Sequence, residues 1–174
     1  MSSYEVRAIK FIHKICPFIE DCKSLDEYAD AVDDFNTMYN RNVQFDNGSA
    51  RMVMITSDYV IKFDYNPSKV AEWGGCEDEV KLYNKAVKDG FAYMFAKIKP
   101  YYYNGRIFYI MPRIHGIART FCDADQYMTA KEYKWCKSVE LYDLHRYNYG
   151  WKNNHIVIID YGCNKFSHSP FRAV

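Results

Sequence analysis

The chain lacks the features that would place it in several special classes. Its 174 residues contain no apolar run near the roughly 20 residues that a membrane-spanning helix requires. Its first residues, MSSYEVRAIKFIHK, interleave charge with apolar side chains and never open into the apolar stretch of a signal peptide. Neither sign of charge dominates: 23 Lys and Arg stand against 22 Asp and Glu, so a net charge of +1 gives no warrant for nucleic-acid binding. The six cysteines (Cys16, Cys22, Cys76, Cys122, Cys136 and Cys163) form no CxxC pair and no zinc-type Cys/His spacing. Reduced thiols in the cytoplasm are the simpler expectation. His115, His145 and His155 supply no HExxH or HxH motif, which argues against a zinc enzyme, and scattered thiols identify no activated nucleophile. No internal repeat, low-complexity tract or clear interdomain linker interrupts the chain, so a single folded domain is expected.

Aromatic residues are what the chain has in abundance, with 17 Tyr, 11 Phe and 3 Trp. Large side chains must fill the core, and some Tyr hydroxyls must reach water or a buried partner. The pattern begins as helix. Val6, Ile9, Ile12 and Ile15 recur at near-helical spacing until Pro17 breaks the run, and Ser24 with Glu27 forms a capping-box pattern ahead of Leu25, Tyr28, Val32, Phe35 and Tyr39. The acidic positions of this second helix, Asp26, Glu27, Asp30, Asp33 and Asp34, read as a solvated face. From Asn42 the period becomes strand-like, and NVQFDNGSARMVMITSDYVIKFDY predicts three antiparallel strands with turns at Asp46-Asn47-Gly48 and Ser57-Asp58. Pro67 suits a first helical turn, and after Gly74-Gly75 a helix is predicted from Cys76 to Val87 with Val80, Tyr83 and Val87 on one side. KIKPYYYNGRIFYIMPRI predicts a hairpin at Asn104-Gly105, with Pro112 at or beyond the sheet's edge. Thr129 with Glu132 opens a further helix, expected to end near Asp143, and Asn153-Asn154 turns a last small hairpin ending in HIVIID.

The most unusual local sequences are DLHRYNYG, residues 143–150, and VIIDYG, residues 157–162. A fold that packs the ends of these segments together would gather Asp143, Asn148 and Asp160 around one point. Mg²⁺ takes oxygen ligands and often uses only one or two protein carboxylates with substrate phosphates, so Asn148 and Asp160 could hold a metal nucleotide while Asp143 orients an alcohol. Lys62 lies in YVIKFD, and strict alternation sets it with Val60 and Asp64, away from Tyr59, Ile61 and Phe63. Glu79 is a candidate ion-pair partner for it, with Glu77 as runner-up and Glu72 nearby. Separately, each residue has an ordinary alternative: surface lysine, helix end, or turn.

In this order the residues resemble the protein-kinase superfamily, from about Val43 to Gly162. Lys62 in VIK stands at the place of the family's β3 lysine, and Glu79 in CEDEVKLY at that of the helix C glutamate. Asp143 and Asn148 keep the spacing of the catalytic-loop pair, and DYG at 160–162 resembles the metal-binding DFG. DLHRYNYG is most similar to the DLHxxN form of aminoglycoside-phosphotransferase-like and small phage or bacterial kinase-like proteins. The resemblance implies an α+β, minimal kinase-like fold: a helical extension over 1–41, an N-lobe over 42–112 with a five-stranded antiparallel sheet, and a reduced C-lobe over 113–174. It further implies ATP between two lobes, Lys62 on its phosphates, Asn148 and Asp160 on Mg²⁺, and Asp143 facing the acceptor hydroxyl. Gly48, Ser49 and Arg51 would lie at the phosphate loop. Val60, Ile110 near the gatekeeper, and Met111 to Arg113 would line the adenine side.

Three departures bear on function. FDNGSARMV carries one glycine where the family has a glycine-rich loop, and Arg51 stands about where the third glycine would be, so its side chain either crowds the phosphates or offers them charge. Leu141-Tyr142 replace the His-Arg that precedes the catalytic aspartate, which argues against control by a phosphorylated activation segment. Only 12 residues follow Gly162, too few for the helices that support a peptide substrate in full kinases. The N-terminal helices, a homodimer contact or a bound partner would have to cover that surface. Two readings follow: phosphoryl transfer to a protein Ser or Thr, or a pseudokinase-like module that binds and modulates a protein. The small size and reduced scheme resemble accessory proteins of bacterial viruses, which implies action on a host protein in the host cytoplasm, without nucleic acid or membrane.

Overall fold

The computed structural model describes residues 1–48, 50–115 and 123–166. Ser49 and Cys122 lie outside these residues, as does the side chain of Glu72. The fold is α+β. Helices α1 (Ser3–Ile19) and α2 (Leu25–Tyr39) precede strands β1 (Gln44–Asn47), β2 (Arg51–Ile55) and β3 (Tyr59–Asp64). Helices α3 (Pro67–Trp73) and α4 (Cys76–Asp89) lead to β4 (Lys99–Tyr103) and β5 (Arg106–Pro112), and then come α5 (Ala130–Ser138), β6 (Tyr149–Lys152) and β7 (His155–Ile158). The first five strands form one antiparallel sheet in the order β1-β2-β3-β5-β4, while β6 and β7 pair separately. No helix of the described residues is long and apolar enough to cross a membrane.

The turns form where the local chemistry favours them. Asn104 and Gly105 take positive φ values of 47° and 72°, the backbone a two-residue hairpin needs, and Asn153-Asn154 do the same with 53° and 59°. Ser24 accepts a hydrogen bond from the Glu27 N–H and Thr129 one from the Glu132 N–H, both at 3.3 Å, closing the first turns of α2 and α5. Pro112 is the last residue of β5, where it interrupts no interior ladder position.

Side-chain alternation gives the sheet two different faces. Met52, Met54, Ile61, Phe63, Phe108 and Ile110 point into a core shared with Ile12, Ile15 and Phe35 of the N-terminal helices. Asn36 clips α2 to the strand entry, its Nδ2 donating to the Val43 carbonyl and its Oδ1 accepting from the Val43 N–H, both at 2.9 Å. Val60, Tyr109 and Met111 face the other way, into a second core with Leu82 of α4, Trp135 of α5, Tyr149 and Ile158. Lys62 stands on this second face, opposite Val53 on one neighbour and Tyr109 on the other.

Several elements differ from the sequence expectation. Helix α1 continues past Pro17 to Ile19, because a proline in the last turn forfeits only one intrahelical bond. Its buried face is Ala8, Phe11, Ile12, Ile15, Cys16 and Ile19; at about 100° per residue, Val6 lies opposite Ile15 and is only half-buried. Helix α4 buries Cys76, Glu79, Leu82 and Ala86, leaving Val87 54% exposed and Val80 and Tyr83 only flanking the core. Helix α5 stops at Ser138, well before Asp143: Glu140 adopts a left-handed φ of 54° and the Leu141 N–H returns to the Cys136 carbonyl at 3.0 Å. A non-glycine residue closes that helix, so the sequence carries no stop signal there.

Candidate functional site

Three distant segments meet at Lys62. Its Nζ lies 2.9 and 3.2 Å from the two carboxylate oxygens of Glu79 and donates to the Ile159 carbonyl at 2.8 Å. Lys62 is 5% exposed and Glu79 not at all. Such burial requires each charge to be paired and its hydrogen-bonding capacity used. The alternative carboxylate, Glu77, is 72% exposed and pairs with Lys81 at 3.4 Å within its own helix. Glu79 also accepts from the Tyr161 N–H at 3.2 Å, which ties α4 to the segment carrying Asp160.

Arg51 completes the cluster. From the start of β2 its Nη1 reaches Glu79 Oε1 at 2.8 Å, and its Nη2 reaches Asp160 Oδ1 at 2.9 Å and Oδ2 at 3.1 Å. Burial opposes the ionised forms of Arg51, Asp160 and Glu79. For Arg51, Asp160 first and then Glu79 reverse that effect and raise its pKa, so it is charged at any relevant pH. Burial would lift Asp160, but Arg51 and then Lys62 outweigh it and hold its carboxyl below the usual carboxylate range. Glu79 keeps a raised pKa, because complete burial exceeds what Lys62 and Arg51 return.

Asp143 and Asn148 are joined to Asp160 through the backbone. Asn148 Nδ2 donates to the Asp143 carbonyl at 3.0 Å, and the Asn148 carbonyl accepts from the N–H groups of Ile159 at 2.8 Å and Asp160 at 3.3 Å. Leu141 and Leu144 plug into the core and leave the Asp143 side chain 47% exposed, 3.3 Å from His145 Nε2. A cleft of about 170 Å³ opens beside it, between Asp123, Tyr133, Tyr142 and His145. Among the described residues no group of three or more His, Cys, Asp or Glu side chains could hold a metal ion by itself.

The remaining expected residues divide by sheet face. Val60 and Met111 are register partners on the face of Lys62. Ile110 is not: it pairs with Ile61 and is buried in the helical core, on the opposite side of the sheet from the position expected of it. Alternation along β5 puts Tyr109 across from Lys62 instead. Arg113 turns away to the β2–β3 connection, where its Nη1 donates to the Thr56 carbonyl at 2.7 Å. Gly48 sits in the β1–β2 turn, its N–H donating to the Arg51 carbonyl at 2.9 Å, with open space where a Cβ would be.

Neither Asn164 nor the packing of Tyr161, the middle residue of DYG, figures in the sequence expectations. The Tyr161 ring packs edge-on against Phe95 at 5.0 Å and its hydroxyl donates to the Ala96 carbonyl at 2.6 Å. Asn164, 1% exposed, donates from Nδ2 to the carbonyls of Tyr161 (2.6 Å), Gly162 (3.2 Å) and Asp78 (3.3 Å). These contacts hold Asp160 against α4 and arise from tertiary neighbours that no local motif announces. In comparisons with protein-family models and with curated proteins, nothing matches this chain.

Proposed function

We propose that this chain transfers the γ-phosphoryl group of ATP to a Ser or Thr hydroxyl of a protein. One observation carries the reading: Lys62 is held simultaneously by Glu79 and by the carbonyl next to Asp160, which converges three segments in the order the kinase resemblance implies. The α+β arrangement is compatible with a minimal kinase-like fold, with α1 and α2 covering the sheet face turned away from the site.

The donor set suits a hard cation. Asn148 spends its Nδ2 on the Asp143 carbonyl, which reserves Oδ1 as an acceptor, and the Asp160 side chain keeps 35% exposure. A magnesium ion held by Asn148 and Asp160 would neutralise charge on the nucleotide phosphates. Lys62, kept in place by Glu79, would exchange its bond to the Ile159 carbonyl for phosphate oxygens of the nucleotide. Val60 and Met111 offer the base an apolar wall. In the transfer, the bond between the γ-phosphorus and its bridging oxygen breaks as a bond to the acceptor oxygen forms, and the acceptor's proton passes to Asp143.

Transfer of labelled γ-phosphate to bacterial host proteins tests this. Asp143→Asn should lower labelling by about 10²–10⁴-fold while ATP binding persists, as expected for loss of a group that manages the acceptor proton. Equal labelling by both proteins would remove Asp143 from this role.

Arg51 favours a second reading, a kinase-like module that binds and modulates a host protein, because its guanidinium already neutralises Asp160. In that case neither protein transfers label, and both capture the same partner.

A further inference from the structure

Arg51 does more than fill space near Asp160. Its side chain is 16% exposed, and the guanidinium spans Glu79 on one nitrogen and both oxygens of Asp160 on the other. Arg51, Lys62, Glu79 and Asp160 thus form a set of two positive and two negative side chains with no net charge. Gly162 leaves the space for it: a Cβ there would stand 2.6 Å from Arg51 Nη1 and 3.3 Å from Arg51 Cζ. The chain has therefore accommodated an organic cation on the carboxylate to which the proposed function gives a metal.

A divalent cation arriving alone must displace that guanidinium and leave it buried with only Glu79, a costly exchange. A cation arriving with a triphosphate brings the anion that can take Arg51 over, and guanidinium matches phosphate oxygens as well as it matches carboxylate. We propose that Arg51 exchanges partners, leaving Asp160 for the nucleotide phosphates as the metal nucleotide enters, so that divalent metal binds only together with nucleotide. Arg51 is in this sense a positioning residue of the site, and the inference rests on the reading of Asn148 and Asp160 as metal ligands.

The test measures Mn²⁺ binding by electron paramagnetic resonance, without and with ADP, and ADP affinity by calorimetry. Wild type should bind Mn²⁺ appreciably only with ADP. Arg51→Met should bind Mn²⁺ alone about tenfold more tightly than wild type, and Mn²⁺-ADP about tenfold less tightly, one factor for each lost set of charge-assisted bonds. Gly162→Ala dislodges the guanidinium but keeps its charge, so it should gain the metal affinity without the nucleotide loss; it decides the matter if circular dichroism shows Arg51→Met unfolded. Metal affinities in both variants equal to wild type, with Asp160→Asn abolishing Mn²⁺-ADP binding, would overturn the exchange and leave the metal site standing. No Mn²⁺-ADP binding by wild type would overturn both.

Discussion

Neighbouring residues on β3 are almost equally hidden from water and are held by different physics. Ile61, 0% exposed, sits among Met52, Ile110 and the helices α1 and α2, where stabilisation scales with apolar area and fit. Lys62, 5% exposed, sits in a closed set of charges whose attraction must first offset the loss of water. The first face is forgiving of chemistry and strict about volume. The second is strict about charge, and that strictness links Lys62 to Glu79, Glu79 to Arg51 and Arg51 to Asp160 within hydrogen-bond reach.

The largest change should come from breaking the charged face. Lys62→Met should abolish the proposed phosphoryl transfer and cost about 3 kcal/mol in urea unfolding, the low end for a broken buried pair, because Arg51 still holds Glu79. Lys62→Met combined with Glu79→Gln should recover part of that stability and none of the transfer, because the remaining Arg51 and Asp160 balance in charge and the amide oxygen still accepts from Arg51 and the Tyr161 N–H. A double variant as unstable as the single one would mean that the two faces are not held differently.

On the apolar face, Ile61→Ala should cost about 2–5 kcal/mol in the same experiment through a cavity beside Ile110, and no charge substitution should restore it. Transfer per folded molecule should change far less than with Lys62→Met.

Acid sharpens the contrast further. Asp160 has a folded pKa below its unfolded one, so its stabilisation is complete above the ordinary aspartate range and is lost as pH falls through the folded value. Glu79, raised by burial, acts oppositely: its contribution declines as pH rises from the ordinary glutamate range through its folded value. Melting temperatures below about pH 4 should therefore fall more steeply for wild type than for Asp160→Asn, while Ile61→Ala should run parallel to wild type.

The smallest effect belongs to a local feature of the helical side. Ser24→Ala, which removes the acceptor for the Glu27 N–H, should lower unfolding stability by about 1 kcal/mol and leave transfer untouched.

What could be read from the chain follows the range of the forces involved. Capping at Ser24 and Thr129, the Asn104-Gly105 and Asn153-Asn154 turns, and the alternation that separates Lys62 from Ile61 depend on neighbours a few residues apart, and they occur where the sequence places them. The resemblance to kinases singled out Lys62, Glu79, Asp143, Asn148 and Asp160; in the fold Lys62 bonds Glu79 and the Ile159 carbonyl, and Asn148 bonds the Asp143 carbonyl and the Asp160 N–H. Other features depended on what each segment met. The buried stripe of α1 was decided by which side lies on the sheet, and the end of α5 by an unannounced left-handed Glu140. Ile110 lost its expected place because pleating sends it to the helical core, and Arg113 went to the Thr56 carbonyl. The bridge from Arg51 to Asp160 spans 109 positions of sequence. Only packing brings that guanidinium over Gly162, since burial of one charge requires a partner and the partner's location is a property of the assembled fold.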